Sequence, residues 1–195
     1  MVSGVVMIVG WSVGRGVGYD SVVHGAGAGN TTATVMTPPH FYLVIHQGEQ
    51  LGNEPLGPAY LPATFTLPAY TTVTITITNF DNATALPDKY AQYAKASGID
   101  KNSFQSAAMD PTNPNAKVAS TTMSQVEATK VSHTFTIQTL NLNVPIAAKS
   151  TTTFSFHTPC CTSAWRCMDP CGIGPVGWGG AMSTDGYMQG HVTFV

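Results

Sequence analysis

Between Thr151 and Val195 the chain gathers residues that bind soft metals. All four cysteines fall within twelve positions, at Cys160, Cys161, Cys167 and Cys171. Met168, Met182 and Met188 lie among or after them, and His157 and His191 bracket the group. Thiolate and thioether sulfur suit Cu(I), imidazole suits Cu(II), and an electron-transfer site combines both kinds of donor. The same cysteines also permit disulfides that pin a glycine-rich loop, pairing Cys167 with Cys171 or crossing to Cys160 and Cys161. Zinc on four thiolates fits the C-C-x5-C-x3-C spacing poorly, because adjacent cysteines rarely both reach one ion.

Such donors need a rigid frame, and the periodicity of the chain supplies strands. Over residues 70–79, Val73, Ile75 and Ile77 alternate with threonines, the pattern of a half-buried strand with its aliphatics inward. HFYLVIH at 40–46 reads as a buried strand bracketed by strand-end histidines. At 131–137 His133, Phe135 and Ile137 share one face; at 151–157 Phe154 and Phe156 oppose Thr153, Ser155 and His157; HVTFV closes the chain. Asn79-Phe80-Asp81-Asn82 is a turn. Residues 86–128 are richer in charge and read as an insertion packed over one end of the sheet, with PDKYAQYAKASGI as a short helix ended by Gly98.

Composition narrows the function. Only 9% of residues are charged, against ~25% in ordinary soluble domains. The net charge of −2 comes without any Lys/Arg cluster, which argues against nucleic acid as a partner. No G-x-S-x-G element or other nucleophile–base arrangement is present. A hydrolytic catalyst is therefore not expected. Residues 1–36 combine an uncharged apolar stretch, MVSGVVMIVGWSV, with a Gly-rich linker. The apolar run is shorter than the roughly twenty residues that span a bilayer, and it lacks a basic n-region. It is expected to be the remnant of a membrane anchor, with one folded domain over 37–195.

Three stretches give this domain a resemblance to the cupredoxins, the copper-binding family that includes plastocyanin, azurin and the copper domain of cytochrome c oxidase subunit II. SHTFTI at 132–137 followed by LNLNVPI resembles the strand carrying the family's first histidine ligand. TTTFSFHTP followed by AWRC resembles the hairpin that delivers the ligand cysteine, and GYMQGHV at 186–192 resembles the ending with a ligand methionine. Cys167-Met168-Asp169-Pro170-Cys171-Gly172 also has the C-x3-C-G spacing of the dinuclear copper loop of oxidase subunit II.

The resemblance implies an all-β, cupredoxin-like Greek-key antiparallel β-sandwich with a partly helical insertion. It implies copper held by His133, Cys167 and Met188, with Met182 as the substitute thioether and Cys171 as a second thiolate. It further implies an extracytoplasmic electron-transfer protein working beside a membrane respiratory or oxidase complex. One departure stands out: residues 172–182 read GIGPVGWGGAM, with no histidine where the family places its second imidazole. Only an unusual loop would let His157 or His191 replace it. The other reading remains a metal-free accessory or structural subunit stapled by disulfides among Cys160, Cys161, Cys167 and Cys171.

Overall fold

A computed structural model describes residues 37–52, 56–110, 113 and 118–195. The apolar stretch and linker expected over 1–36 lie outside the described residues. Among the described residues no helix is long and apolar enough to cross a membrane.

Eleven strands are present among the described residues: β1 (His40–His46), β2 (Ala59–Leu61), β3 (Thr64–Leu67), β4 (Thr72–Asn79), β5 (Phe104–Ala108), β6 (Thr121–Met123), β7 (Val131–Ile137), β8 (Leu142–Ala147), β9 (Ser150–His157), β10 (Cys161–Arg166) and β11 (Gln189–Phe194). They form a six-stranded sheet ordered β2-β1-β4-β9-β5-β6 and a five-stranded sheet ordered β3-β11-β10-β7-β8. This is an all-β sandwich. Most pairings are antiparallel, as expected, but β1 runs parallel to β4 and β3 parallel to β11. Both sheets are thus mixed.

The alternating strands behave as their patterns dictate. Val73, Ile75 and Ile77 of β4 are fully buried, as are Phe135 and Ile137 of β7. Phe135 sits at the centre of the core, with ring centroids 6.3 Å from Tyr60, 5.4 Å from Trp165 and 6.0 Å from Phe154. A buried aromatic of this kind contributes about 1.5–3 kcal/mol from burial alone. The threonine face of β4 is not simply hydrated. Thr74 and Thr76 bond the hydroxyls of Ser155 and Thr153 on β9 at 2.9 and 2.7 Å, and His40 reaches Thr76 at 2.7 Å.

The 86–128 segment does more than cover one end. Its helical piece, Asp88–Ala94, is a 3-10 helix. The chain then adds β5 and β6 to the edge of the six-stranded sheet beyond β9. Ser97 meanwhile exchanges backbone hydrogen bonds with Asn143 of β8, in the other sheet. The insertion thereby joins the two sheets along one side, and its Leu86, Ile99, Phe104 and Val126 are buried in the common core.

Candidate metal centre

Three strand ends converge on one buried point. His133 sits near the start of β7, where a register irregularity between Val131 and His133 breaks the ladder with β8. An extra residue of this kind re-aims the side chains beside it. Here Ser132 turns aside, its hydroxyl donating to the Asn82 carbonyl at 2.6 Å. Cys167 directly follows β10, and its N–H donates to the Met188 carbonyl just before β11 at 2.8 Å. Thr134 fixes the next step of the loop: its hydroxyl accepts from the Met168 N–H at 2.7 Å, and its own N–H donates to Cys167 Sγ at 3.3 Å.

Around that point His133 Nδ1 lies 3.2 Å from Cys171 Sγ, and the two sulfurs of Cys167 and Cys171 lie 3.8 Å apart. Cys171 Sγ also touches Met182 Sδ at 3.4 Å. One donor atom from each of His133, Cys167 and Cys171 falls within 4.8 Å of the others, and all three residues are buried. Met182 reaches the cluster because Gly172 leaves it room. A Cβ at Gly172 would collide with the Gly179 carbonyl and approach Met182 Cγ to 2.9 Å. Met182 itself rides on a 3-10 turn, Gly180–Met182, which Arg166 holds by donating to the Met182 carbonyl at 3.2 Å.

Donor spacing tests whether a metal fits. With bonds of about 2.3 Å to sulfur and 2.0–2.1 Å to nitrogen in a tetrahedral shell, neighbouring donors stand about 3.6–3.8 Å apart. The 3.8 Å between the two cysteine sulfurs is of that size, while the 3.2 and 3.4 Å from Cys171 to His133 and Met182 are shorter and would open as a metal entered. The thioether discriminates between metals. Structural zinc takes thiolate, imidazole and carboxylate, whereas thioether sulfur suits copper.

Asp81 holds the histidine from behind, its Oδ2 3.2 Å from His133 Nε2. That leaves Nδ1 facing the sulfurs, the outer-shell arrangement that orients a metal-binding imidazole. Asp81 is itself fixed: Asn79 Oδ1 accepts its N–H at 3.0 Å, and the Asn82 N–H and Gln47 Nε2 donate to its Oδ1. Nothing in the local pattern around Asp81 marked it as part of the site. The turn at 79–82 was legible; its target was not.

The charges at the site are coupled. Burial opposes a charge on His133, but hydrogen bonds and attraction from Asp81 and Cys167 dominate and push it up to about 9. Burial would likewise raise Cys167, yet hydrogen bonds from Cys171, His133 and the Thr134 N–H bring it well below the ordinary thiol range. Cys171 moves the other way, raised by burial and by the neighbouring thiolate. The shifts of the two sulfurs are opposite in sign, so Cys167 gives up its proton more readily than Cys171 does. Asp169, fully buried, is raised to about 7 by burial and by Cys167, and Thr84 donates to its Oδ2 at 2.7 Å.

The remaining sequence candidates lie elsewhere or play other parts. Met188 is fully buried and meets Cys167 through its carbonyl, while the thioether touching Cys171 belongs to Met182. His157, at the end of β9, and His191, on β11, are both exposed. Cys160 and Cys161 are exposed at the start of β10. Six residues of strand, about 20 Å at ~3.3 Å per residue, separate Cys161 from Cys167. Crossed disulfides between the two pairs are therefore ruled out, since bridged Cα atoms stand at most about 7 Å apart. The 3.8 Å between Cys167 and Cys171 is also a contact, not a bond of about 2.05 Å. All four cysteines are free thiols. Trp165 is core, donating from Nε1 to the Ala63 carbonyl at 2.7 Å. Trp178 is half-buried under the Arg166 guanidinium, 4.9 Å from its ring.

No protein-family model matches the chain, and no curated protein matches it. Among solved structures it is similar to auracyanin from the photosynthetic bacterium Roseiflexus castenholzii, at 13% identity over 82% of this chain and 99% of that one, with a TM-score of 0.35. It is similar to auracyanin B at 12% identity over 83% and 93%, with a TM-score of 0.34. A multicopper oxidase from Campylobacter jejuni gives 8% identity and a TM-score of 0.40 over 83% of this chain, which spans only 31% of the oxidase. These superpositions are loose, and the sandwich is established by its own strand order.

Proposed function

We propose that the protein is a cupredoxin-like copper protein that carries electrons, with copper held by His133, Cys167, Cys171 and Met182. The observation that supports it most is the thioether beside two cysteine sulfurs and one oriented imidazole, all buried, with the imidazole and the two cysteine sulfurs within 4.8 Å of one another. When bound, copper would supply single-electron exchange with a partner. Two sulfur donors, a thioether and one imidazole form a softer set than the usual His₂Cys, and so favour the reduced ion.

The chain's own residues do the rest. Asp81 fixes the imidazole with Nδ1 inward, and the Thr134 N–H steadies the Cys167 thiolate. Gly172 and the 3-10 turn bring Met182 up to Cys171. Tyr60, Trp165, Ala181 and Met188 exclude water around them. Anchoring at 1–36 and service to a membrane oxidase or respiratory complex on the outer side extend this proposal; the apolar run 1–13 is what supports them.

Loading the full chain with copper and measuring both stoichiometry and absorption tests the reading. One copper per chain with a thiolate-to-copper band is expected, and its loss on Cys167→Ser. A chain that takes up no copper while Cys167 and Cys171 are isolated as a disulfide would overturn it in favour of the metal-free accessory subunit.

A further inference from the structure

The copper reading leaves Cys160 and Cys161 without a role, and their setting asks for one. Free cysteine is among the most buried residue types, yet these two thiols stand exposed side by side. The backbone presents them in a costly way. Cys161 lies at φ 77° and the neighbouring Tyr70 at φ 55°, a left-handed region that L side chains adopt rarely. The surrounding frame enforces this conformation. Thr158, fully buried, donates its hydroxyl to the Pro68 and Thr71 carbonyls and accepts from the Thr71 N–H, while its carbonyl accepts from Tyr70. On the other side Cys161 is already in register with Phe194 of β11. Tyr70, itself exposed, stands beside them and perturbs the Cys160 thiol.

A bridge between Cys160 and Cys161 would serve no structural purpose. It closes a loop of two residues and so removes almost no chain entropy. Consecutive Cα atoms are 3.80 Å apart, below the ~4.4–6.8 Å of relaxed disulfides. The bond is therefore strained and easily reduced, the property of labile and catalytic disulfides rather than of staples. Metal binding is disfavoured for the same reason, since adjacent sulfurs reach one ion poorly.

We propose that Cys160 and Cys161 are a second, surface redox site, a vicinal dithiol that exchanges with low-molecular-weight disulfides. The Cys160 thiolate attacks one sulfur of the disulfide, forming a mixed disulfide and expelling one thiolate, which takes up the proton Cys160 had lost. Cys161, deprotonated in turn, attacks the Cys160 sulfur, closes the vicinal bond and expels the second thiol. Two protein thiols are oxidised, one small disulfide is reduced to two thiols, and protons balance. Hydrogen bonds from Cys161 and then Tyr70 hold the Cys160 thiol below its ordinary range, whereas Cys160 raises Cys161. Cys160 precedes β10 and is assigned as the attacking sulfur, and Cys161, held in the strand opposite Phe194, as the resolving one; the directions of the two thiol shifts agree with this.

The test equilibrates the full chain with graded ratios of reduced to oxidised glutathione, quenches with acid, alkylates, and maps the peptides by mass. The expected result is interconversion of the Cys160–Cys161 peptide between doubly alkylated and internally bridged forms. Cys161→Ser should accumulate an unresolved glutathione adduct on Cys160, and Cys160→Ser should form its adduct at least tenfold more slowly. Copper uptake should be unchanged in both variants, with the centre about 20 Å away along β10. The proposal is overturned if both thiols stay alkylated at every ratio, or if the only product links two chains. Equal adduct rates in the two variants would overturn the assignment of attacker and resolver.

Discussion

β10 carries a pair of cysteines at each end, and the two pairs differ in almost every condition that governs thiol chemistry. At its start Cys160 and Cys161 are adjacent and exposed; just past its end Cys167 and Cys171 are buried, four residues apart, and share His133. Adjacency keeps the first pair from a common metal. The three-residue spacer folds the second pair's sulfurs to 3.8 Å, and the loop that follows returns Met182 to complete the donor set. One strand thus separates sulfur suited to exchange with solvent from sulfur suited to a metal. What distinguishes them is spacing and burial, not residue type.

Labelling rates should separate the two pairs of thiols more than any other measurement. In the native metal-free chain two thiols should react with a maleimide at once, and the other two roughly a thousandfold more slowly, because local opening of ~4 kcal/mol must precede their reaction. Four equally fast thiols would mean that the second pair is not buried. Next in size is Cys167→Ser, which should abolish the thiolate-to-copper band and weaken copper binding more than a hundredfold; Cys160→Ser and Cys161→Ser should leave both unchanged.

Proton linkage sharpens the same contrast. At pH 7 His133, raised to about 9, and Cys171, raised by burial, hold protons that a metal must displace, whereas the lowered Cys167 gives up its own more readily. A metal on two thiolates and a neutral imidazole must displace about two protons. Copper affinity should therefore rise up to about a hundredfold per pH unit near pH 7, and about tenfold per unit above pH 9, where His133 deprotonates unaided. A titration showing one proton throughout would leave Cys171 outside the site.

Smaller effects belong to the supports. Asp81→Asn removes the charge that orients His133 and should cost about 10–100-fold in copper affinity. Met182→Leu should weaken binding of the reduced ion by roughly tenfold, an expected loss of one soft ligand, while Met188→Leu should be close to neutral. The opposite ranking, measured by competition with a Cu(I) chelator, would return the thioether role to Met188.

Strands whose faces differ chemically were legible from the chain alone. The alternation in β4, β7 and β9 places Ile75, Phe135 and Phe154 where they are buried, because one side of each strand is apolar. β5 was not legible: FQSAA carries little β propensity of its own and is a strand because β9 offers it an edge. Nor can alternation choose between parallel and antiparallel partners, which is why the β1–β4 and β3–β11 pairs were unexpected. Within the candidate site, His133, Cys167 and Cys171 were named through the motifs that resemble the cupredoxins, and the fold brings their donor atoms together. The contact of Met182 rather than Met188 depends on a glycine loop with no period. Asp81 and the Thr134 N–H act across the fold, 52 and 33 residues from the atoms they hold.

In the proposed copper protein one ion sits among His133, Cys167, Cys171 and Met182. X-ray absorption at the copper edge of the loaded full chain measures that shell directly. Two thiolate sulfurs at about 2.3 Å and one nitrogen at about 2.0–2.1 Å are expected, unchanged by Cys160→Ser and Cys161→Ser. A shell of nitrogen and oxygen alone, or one that loses sulfur when Cys160 or Cys161 is replaced, would contradict it.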